Sequence, residues 1–109
     1  MENTPSHEAD DRRPVNQADV TAILASIGAQ IRMARQRKEW FLSDLADLVG
    51  VSTSVVCRIE LARREPSFHQ LVMVCAALER RLSDVIRIAE DEAYPLGLAP
   101  WTPRPYWQS

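Results

Sequence analysis

The side chains of this sequence best suited to chemistry lie in a short polar and apolar segment that follows Gly50. Thr53, Ser54 and Arg58 alternate with apolar residues at a spacing that places the three on one face of a helix. Hydroxyl and guanidinium groups donate hydrogen bonds, and an arginine can pair with two acceptors of a guanine at once. Because no acidic residue precedes Glu60 in this helix, the pattern fits the major groove of DNA, which is about 12 Å wide.

Each of these side chains also has a simpler interpretation, which the sequence leaves open. Thr53 and Ser54 are common in the first turn of any helix, and Arg58 could contact a phosphate instead of a base. Cys57 could sense oxidants because Arg58 lies beside it, although we favour its interpretation as an inert filler. The segment therefore predicts a binding surface, with the role of each residue still to be tested.

An enzyme is not predicted, and neither is a cofactor. The helical layout brings together no Ser/His/Asp or Cys/His arrangement, and the chain has no glycine-rich phosphate loop or cluster of metal ligands. His7 and His69 are isolated. Cys57 and Cys75 lack the spacing of a metal site, so we expect free thiols in a reducing compartment, with a single disulfide as the alternative.

Apolar residues at helical spacing predict an all-α domain of about five short helices. We expect Gly28 to mark close packing within the first helix, Gly50 to end the second in a left-handed conformation, and Leu45, Leu48 and Val49 to form the second helix's inner face. We expect a first helix from near Asp19, which would cap it, to about Lys38, a second ending at Val49, and a third from Thr53 to Leu61 after a Ser52 cap. A fourth helix is capped by Ser67 and a fifth opens at or beside Ser83. The apolar stripe of the fourth helix is Leu71, Val74, Cys75 and Leu78.

The predicted domain organisation has three parts. Residues 1–18 form a flexible N-terminal arm, residues 19–90 the compact five-helix domain, and residues 91–109 a tail rich in proline and aromatic residues. The tail is either a disordered end or an arm that folds onto its own domain or onto a second subunit.

Charge is distributed unevenly along the chain. The whole sequence has a net charge of −2, but seven basic and four acidic residues between positions 30 and 64 give that part a net charge of +3. A local basic surface is what contact with phosphate requires, and a solvated face of mixed charge is the alternative. No apolar run approaches a membrane span, and with no signal region we expect the cytoplasm.

The order of these motifs resembles the phage-repressor-like (Cro/Xre) helix-turn-helix family. The matching stretch includes LADLVGVS at 45–52, RIE at 58–60, RREPS at 63–67 and LSDVI at 82–86. The resemblance implies a lambda-repressor-like fold, double-stranded DNA as the partner, and a transcriptional regulator acting as a repressor. It further implies a homodimer on a palindromic operator and a cytoplasmic, nucleoid-associated location.

The resemblance also implies roles for particular residues. Base contacts are expected from one face of the third helix, phosphate contacts from its start and from the loop after it, and a structural ion pair between the first and third helices. The residues are Thr53, Ser54 and Arg58 for bases, Ser52, Arg63 and Arg64 for phosphates, and Arg35 with Glu60 for the ion pair.

The sequence departs from the family at two places. Phe41 and Leu42 stand where the family has a capping Ser or Thr and then a Gln that bridges to DNA, and Glu79 and Arg80 replace a Gly and an apolar residue. Two alternatives follow. The chain could be an antitoxin that binds its operator and also binds a toxin through the apolar run Trp40–Leu42 or through the tail. It could also be an adaptor that has lost DNA binding.

Overall fold

Five α-helices and no strand make up residues 16–94, the part of the chain that this computed structural model describes. The predicted all-α fold is confirmed. Most of the predicted N-terminal arm lies outside the described residues. The proline and aromatic residues from 95 onward also lie outside them. The helices are α1 (Gln17–Arg37), α2 (Leu42–Val49), α3 (Thr53–Glu60), α4 (Phe68–Ala77) and α5 (Leu82–Ala93).

The first helix begins two residues before the predicted start. Asn16, not Asp19, is the N-cap, and its Oδ1 accepts a hydrogen bond of 2.9 Å from the Ala18 N–H. Asp19 lies in the first turn, where a negative charge suits the helix dipole. At the other end, α5 begins at Leu82, beside Ser83 as predicted, with Arg81 as its N-cap, and it continues three residues past the predicted limit at residue 90.

One cluster of buried apolar side chains, drawn from all five helices, forms the core. The predicted stripe on α4, including Cys75, is buried as expected. The prediction for α2 was wrong at Leu48, which is 55% exposed. The buried stripe of α2 is instead Leu45, Ala46 and Val49, which face α3 and α4, and at about 100° per residue Leu48 falls outside it.

Both cysteines are free thiols, as predicted. Cys75 lies in the core, and its burial raises the pKa of its thiol, an effect that the positive charge of Arg80 partly opposes. A thiol of this kind reacts slowly because the thiolate is the reactive form. Among the described residues, no helix is long and apolar enough to cross a membrane.

Left-handed backbone conformations end several of the helices. Gly50 follows α2 with φ 82° and ψ 30°, and its N–H donates to the Ala46 carbonyl at 2.8 Å. Glu39, Ala62 and Glu79, each one residue beyond a C-cap, also have φ near 58°. Glycine adopts this region without steric strain, whereas other residues are strained there. Within residues 16–94 the backbone thus turns four times through a left-handed residue, and one of the four is glycine.

Replacing Gly50 with valine is expected to lower the free energy of unfolding by about 1–2 kcal/mol, because a β-branched residue is strained at positive φ. No side chain or remote backbone atom lies within 4 Å of the position that a Cβ would take, so the loss comes from the backbone alone. Urea unfolding measures it. Gly50→Asn is the matched control, since asparagine tolerates this region, and equal losses in both variants would contradict the explanation.

Candidate nucleic-acid interface

The third helix packs on the core with one face and presents the opposite face to solvent. Val56 and Ile59 are buried, while Thr53, Ser54 and Arg58 are exposed. None of these three side chains hydrogen-bonds or forms an ion pair with another described residue, so their polar groups are available to a partner. We call these three residues, together with Ser52, the outer face of α3.

Ser52 has a structural role at the start of α3. Its Oγ accepts a hydrogen bond of 3.2 Å from the Val55 N–H, which makes it the N-cap. The hydroxyl can still donate its own proton, and the remaining first-turn N–H groups point out of the helix end. Such an end favours an anion. The predicted phosphate contact of Ser52 is therefore compatible with capping.

Arg63 and Arg64 lie in the loop between α3 and α4 and are exposed. The Arg63 N–H donates to the Arg58 carbonyl at 2.8 Å, which folds the loop back against the end of α3. The two cations thus follow the C-terminal end of α3, the opposite end from Ser52. This arrangement places groups suited to phosphate at both ends of the helix.

A fork-like ion pair between Arg35 of α1 and Glu60 of α3 fixes the orientation of α3. Arg35 Nε donates to Glu60 Oε2 at 2.7 Å and Nη2 donates to Oε1 at 3.0 Å. Their side chains are only 11% and 4% exposed. Arg35 Nη1 also donates to the Trp40 carbonyl at 2.8 Å, which ties in the turn before α2. The hydrogen bonds to Glu60 raise the pKa of the Arg35 guanidinium, and burial partly opposes this.

A second point of contact between α1 and α3 lies at Gly28. A Cβ at this position would lie 2.6 Å from the Ile59 carbonyl oxygen and 2.5 Å from that of Glu60. Only glycine allows the two helices to approach this closely. The sequence predicted close packing at Gly28 but did not identify α3 as the neighbour. Gly28 and Arg35 stand two turns apart on α1. Their contacts are with the last two residues of α3, so together they fix the position of its C-terminal end against α1.

Beside the outer face of α3 lies an open recess of about 170 Å³, which the sequence did not predict. Apolar side chains from α2, from α3 and from the C-cap of α3 line much of this recess. The exposed side chain of Arg32 in α1 also lines it. The neighbouring Phe41 is 77% exposed; it cannot cap α2 with its side chain, but its N–H donates to Asp44 Oδ2 at 2.7 Å. The lining residues are Arg32, Arg35, Leu42, Cys57, Glu60 and Leu61.

The described residues do not include a group of three or more side chains that could hold a metal ion. The geometry is instead that of a helix-turn-helix protein: α2 and α3 are joined by a tight glycine turn, and α3 projects polar groups from the core. A family model described as a helix-turn-helix domain matches residues 26–89. The chain belongs to this family.

Solved structures of gene regulators share the fold. The clp gene regulator ClgR from Corynebacterium glutamicum has 31% sequence identity with a TM-score of 0.61, covering 65% of this chain and 76% of that one. A second ClgR structure has 30% identity and a TM-score of 0.57, covering 71% and 91%. The restriction-modification controller protein C.AhdI from Aeromonas hydrophila has 26% identity and a TM-score of 0.56, covering 59% and 97%.

No curated protein matches the chain. The family and these structural neighbours support a DNA-binding transcriptional regulator, and they are regulators rather than enzymes.

Proposed function

We propose that the protein is a homodimeric repressor that binds a palindromic operator with α3 in the major groove. The observation that carries this proposal is the outer face of α3, where Thr53, Ser54 and Arg58 are exposed and unpaired. The C-terminal end of α3 is held against α1 by the Arg35–Glu60 ion pair and by the contact at Gly28, and its inner face is buried in the core. A fixed helix with free donors can match the pattern of base edges in the groove.

In the proposed complex, Arg58 pairs with O6 and N7 of a guanine, and the hydroxyls of Thr53 and Ser54 contact neighbouring base edges. Ser52 and the loop residues Arg63 and Arg64 contact phosphates at the two ends of α3. Phosphate contacts position a protein on the duplex, whereas base contacts determine which DNA sequence it prefers. We also propose that the protein acts in the cytoplasm, on the nucleoid.

For the dimer, we propose that two copies meet at the groove between α1 and α5. The groove has a volume of about 250 Å³, and its lining includes Met33, Arg37, Arg80 and Glu92 but no residue of α2 or α3. In a twofold interface each surface meets its own copy, so a surface with both signs of charge can pair with itself. This contact would leave both copies of α3 free to reach two half-sites about 34 Å apart.

The test is selection of bound duplexes from a random pool with the purified full chain at about 50 mM salt, together with its mass in solution. We expect an inverted repeat and a particle of twice the 12.4 kDa chain. Binding should weaken steeply as salt rises, because phosphate contacts release counterions. Failure to select any specific sequence would overturn the proposal.

Arg58→Ala is expected to weaken binding to the selected site by about tenfold to a hundredfold, the value of one bidentate arginine–guanine pair. Its free energy of unfolding should change by less than about 0.5 kcal/mol, because the side chain is exposed. Titration of labelled operator measures the first quantity and urea unfolding the second.

Arg58→Lys is the matched control. Lysine keeps the positive charge but lacks the planar guanidinium that donates two parallel hydrogen bonds. If Arg58 contacts a guanine, the lysine variant should lose specificity while keeping non-specific binding. If the lysine variant binds the operator as tightly as the wild type, Arg58 contacts a phosphate. An alanine variant that unfolds would show that the faces of α3 are assigned wrongly.

A second candidate function is the antitoxin of a toxin–antitoxin pair, favoured by two exposed aromatic side chains. Phe41 is 77% and Phe68 73% exposed, and such side chains are enriched at protein interfaces. The tail that also motivates this hypothesis lies outside the described residues. Co-expression with the product of the adjacent reading frame tests it: a stable complex and relief of toxicity support it, and independent behaviour of the two proteins excludes it.

A further inference from the structure

We propose that the recess beside α3 receives the methyl group of a thymine, so that the half-site combines this thymine with the guanine read by Arg58. This inference rests on the proposed function, since it presumes that α3 lies in the major groove. Leu42, Cys57 and Leu61 carry it, and we call these three residues the methyl edge.

The methyl edge belongs to the same surface as the outer face of α3. Successive residues of a helix are about 100° apart, so Leu61 falls almost in line with Ser54, two turns further on. Arg58 and Cys57 flank this line on its two sides. Leu61 is 47% exposed and Cys57 is partly exposed. A duplex that contacts Ser54 and Arg58 therefore also meets the methyl edge.

The polar groups of Arg35 and Glu60 in the recess are already satisfied, which limits what can enter. The three donor nitrogens of Arg35 and both carboxylate oxygens of Glu60 are joined to each other or to the Trp40 carbonyl. What remains is an apolar wall with the exposed and unpaired cation of Arg32 beside it. An apolar group attached to an anionic chain fits such a site, and the thymine methyl in a DNA strand has this chemistry.

The outer face of α3 also limits which bases it can read. Adenine is read in a bidentate manner by Asn or Gln, and cytosine by a carboxylate, but the exposed positions of α3 offer neither. Glu60, the acidic residue of α3, is buried in its ion pair. The base-specific groups left are one guanidinium for guanine and the methyl edge for thymine. The hydroxyls of Thr53 and Ser54 are compatible with any base.

Replacing thymine by uracil in the selected operator removes the methyl group and leaves every hydrogen-bonding group in place. We expect one thymine in each half-site at which this change raises the Kd about fourfold, the value of one buried methyl group. Uracil at the other positions should change the Kd by less than about twofold. This arm uses the wild-type full chain, so no variant has to fold.

Protein variants then connect the lost methyl group to the methyl edge. With Leu61→Ser or Cys57→Ser, the same uracil should no longer weaken binding, because the contact has already been lost. Cys57→Ala is the matched control: it keeps the apolar character and should retain a penalty for uracil. Urea unfolding of each variant verifies that it folds.

Two results would overturn the inference and leave the proposed function standing. One is a specific operator in which no thymine responds to uracil. The other is a thymine that responds equally in the wild type and in both serine variants, which would assign the methyl contact to a different surface. If no operator is selected at all, the proposed function falls and this inference with it.

Discussion

Gly28→Ala is expected to lower the free energy of unfolding by about 2–3 kcal/mol, although alanine is intrinsically better than glycine within a helix. The added Cβ would lie 2.5 and 2.6 Å from two backbone carbonyl oxygens of α3, and backbone atoms cannot rotate away as a side chain can. The helices would have to separate, which opens gaps in the core around Ile59 and Ile31. Urea or thermal unfolding measures the loss.

The same variant should also weaken operator binding beyond its effect on stability, because α3 would be displaced from its normal depth. Ala25→Gly, at an exposed position of α1, is the control that calibrates the intrinsic preference of this helix for alanine. If Gly28→Ala is as stable as the wild type, α1 and α3 do not approach each other as closely as described.

The second large effect is expected at the ion pair. Arg35→Met should cost about 3–5 kcal/mol, because it leaves the carboxylate of Glu60 buried without a partner. It also removes the hydrogen bond to the Trp40 carbonyl, which secures the turn before α2. Glu60→Leu should cost a similar amount for the converse reason. Unfolding by urea measures each variant.

The double variant Arg35→Met/Glu60→Leu tests the cause. Replacing both charges by apolar groups removes the desolvation penalty, so the double variant should be more stable than either single variant. Arg35→Lys keeps the charge but makes fewer hydrogen bonds, and it should fall between the wild type and Arg35→Met. Additive losses in the double variant would mean that the two side chains act separately.

The sequence predicted the five helices because each has an apolar stripe at helical spacing, and the stripe also determines which side chains face outward. The prediction at the start of α1 was less accurate for a local reason: Asn16 and Asp19 are both good caps, and the choice between them depends on a single added turn. Leu48 is exposed because the neighbouring helices pack on the side of α2 that carries Ala46. The spacing of apolar residues in α2 does not by itself show on which side those helices pack.

Contacts between distant parts of the chain were the hardest to predict. That Gly28 meets the end of α3 depends on the angle at which α1 crosses it, and this angle is set by the whole core. The recess is likewise formed by three helices, so no single segment of sequence carries its signal. The roles of the outer-face residues on DNA remain predictions for the experiments above.

The left-handed residues Glu39, Ala62 and Glu79 are positions at which a substitution could raise the free energy of unfolding. Each position strains an L-residue by about 1–2 kcal/mol, and glycine would relieve most of that strain after its own entropic cost. None of the three lies on the outer face of α3. Substitutions there could compensate for destabilising changes elsewhere, including changes on the outer face of α3, so that this face can vary without loss of the folded state.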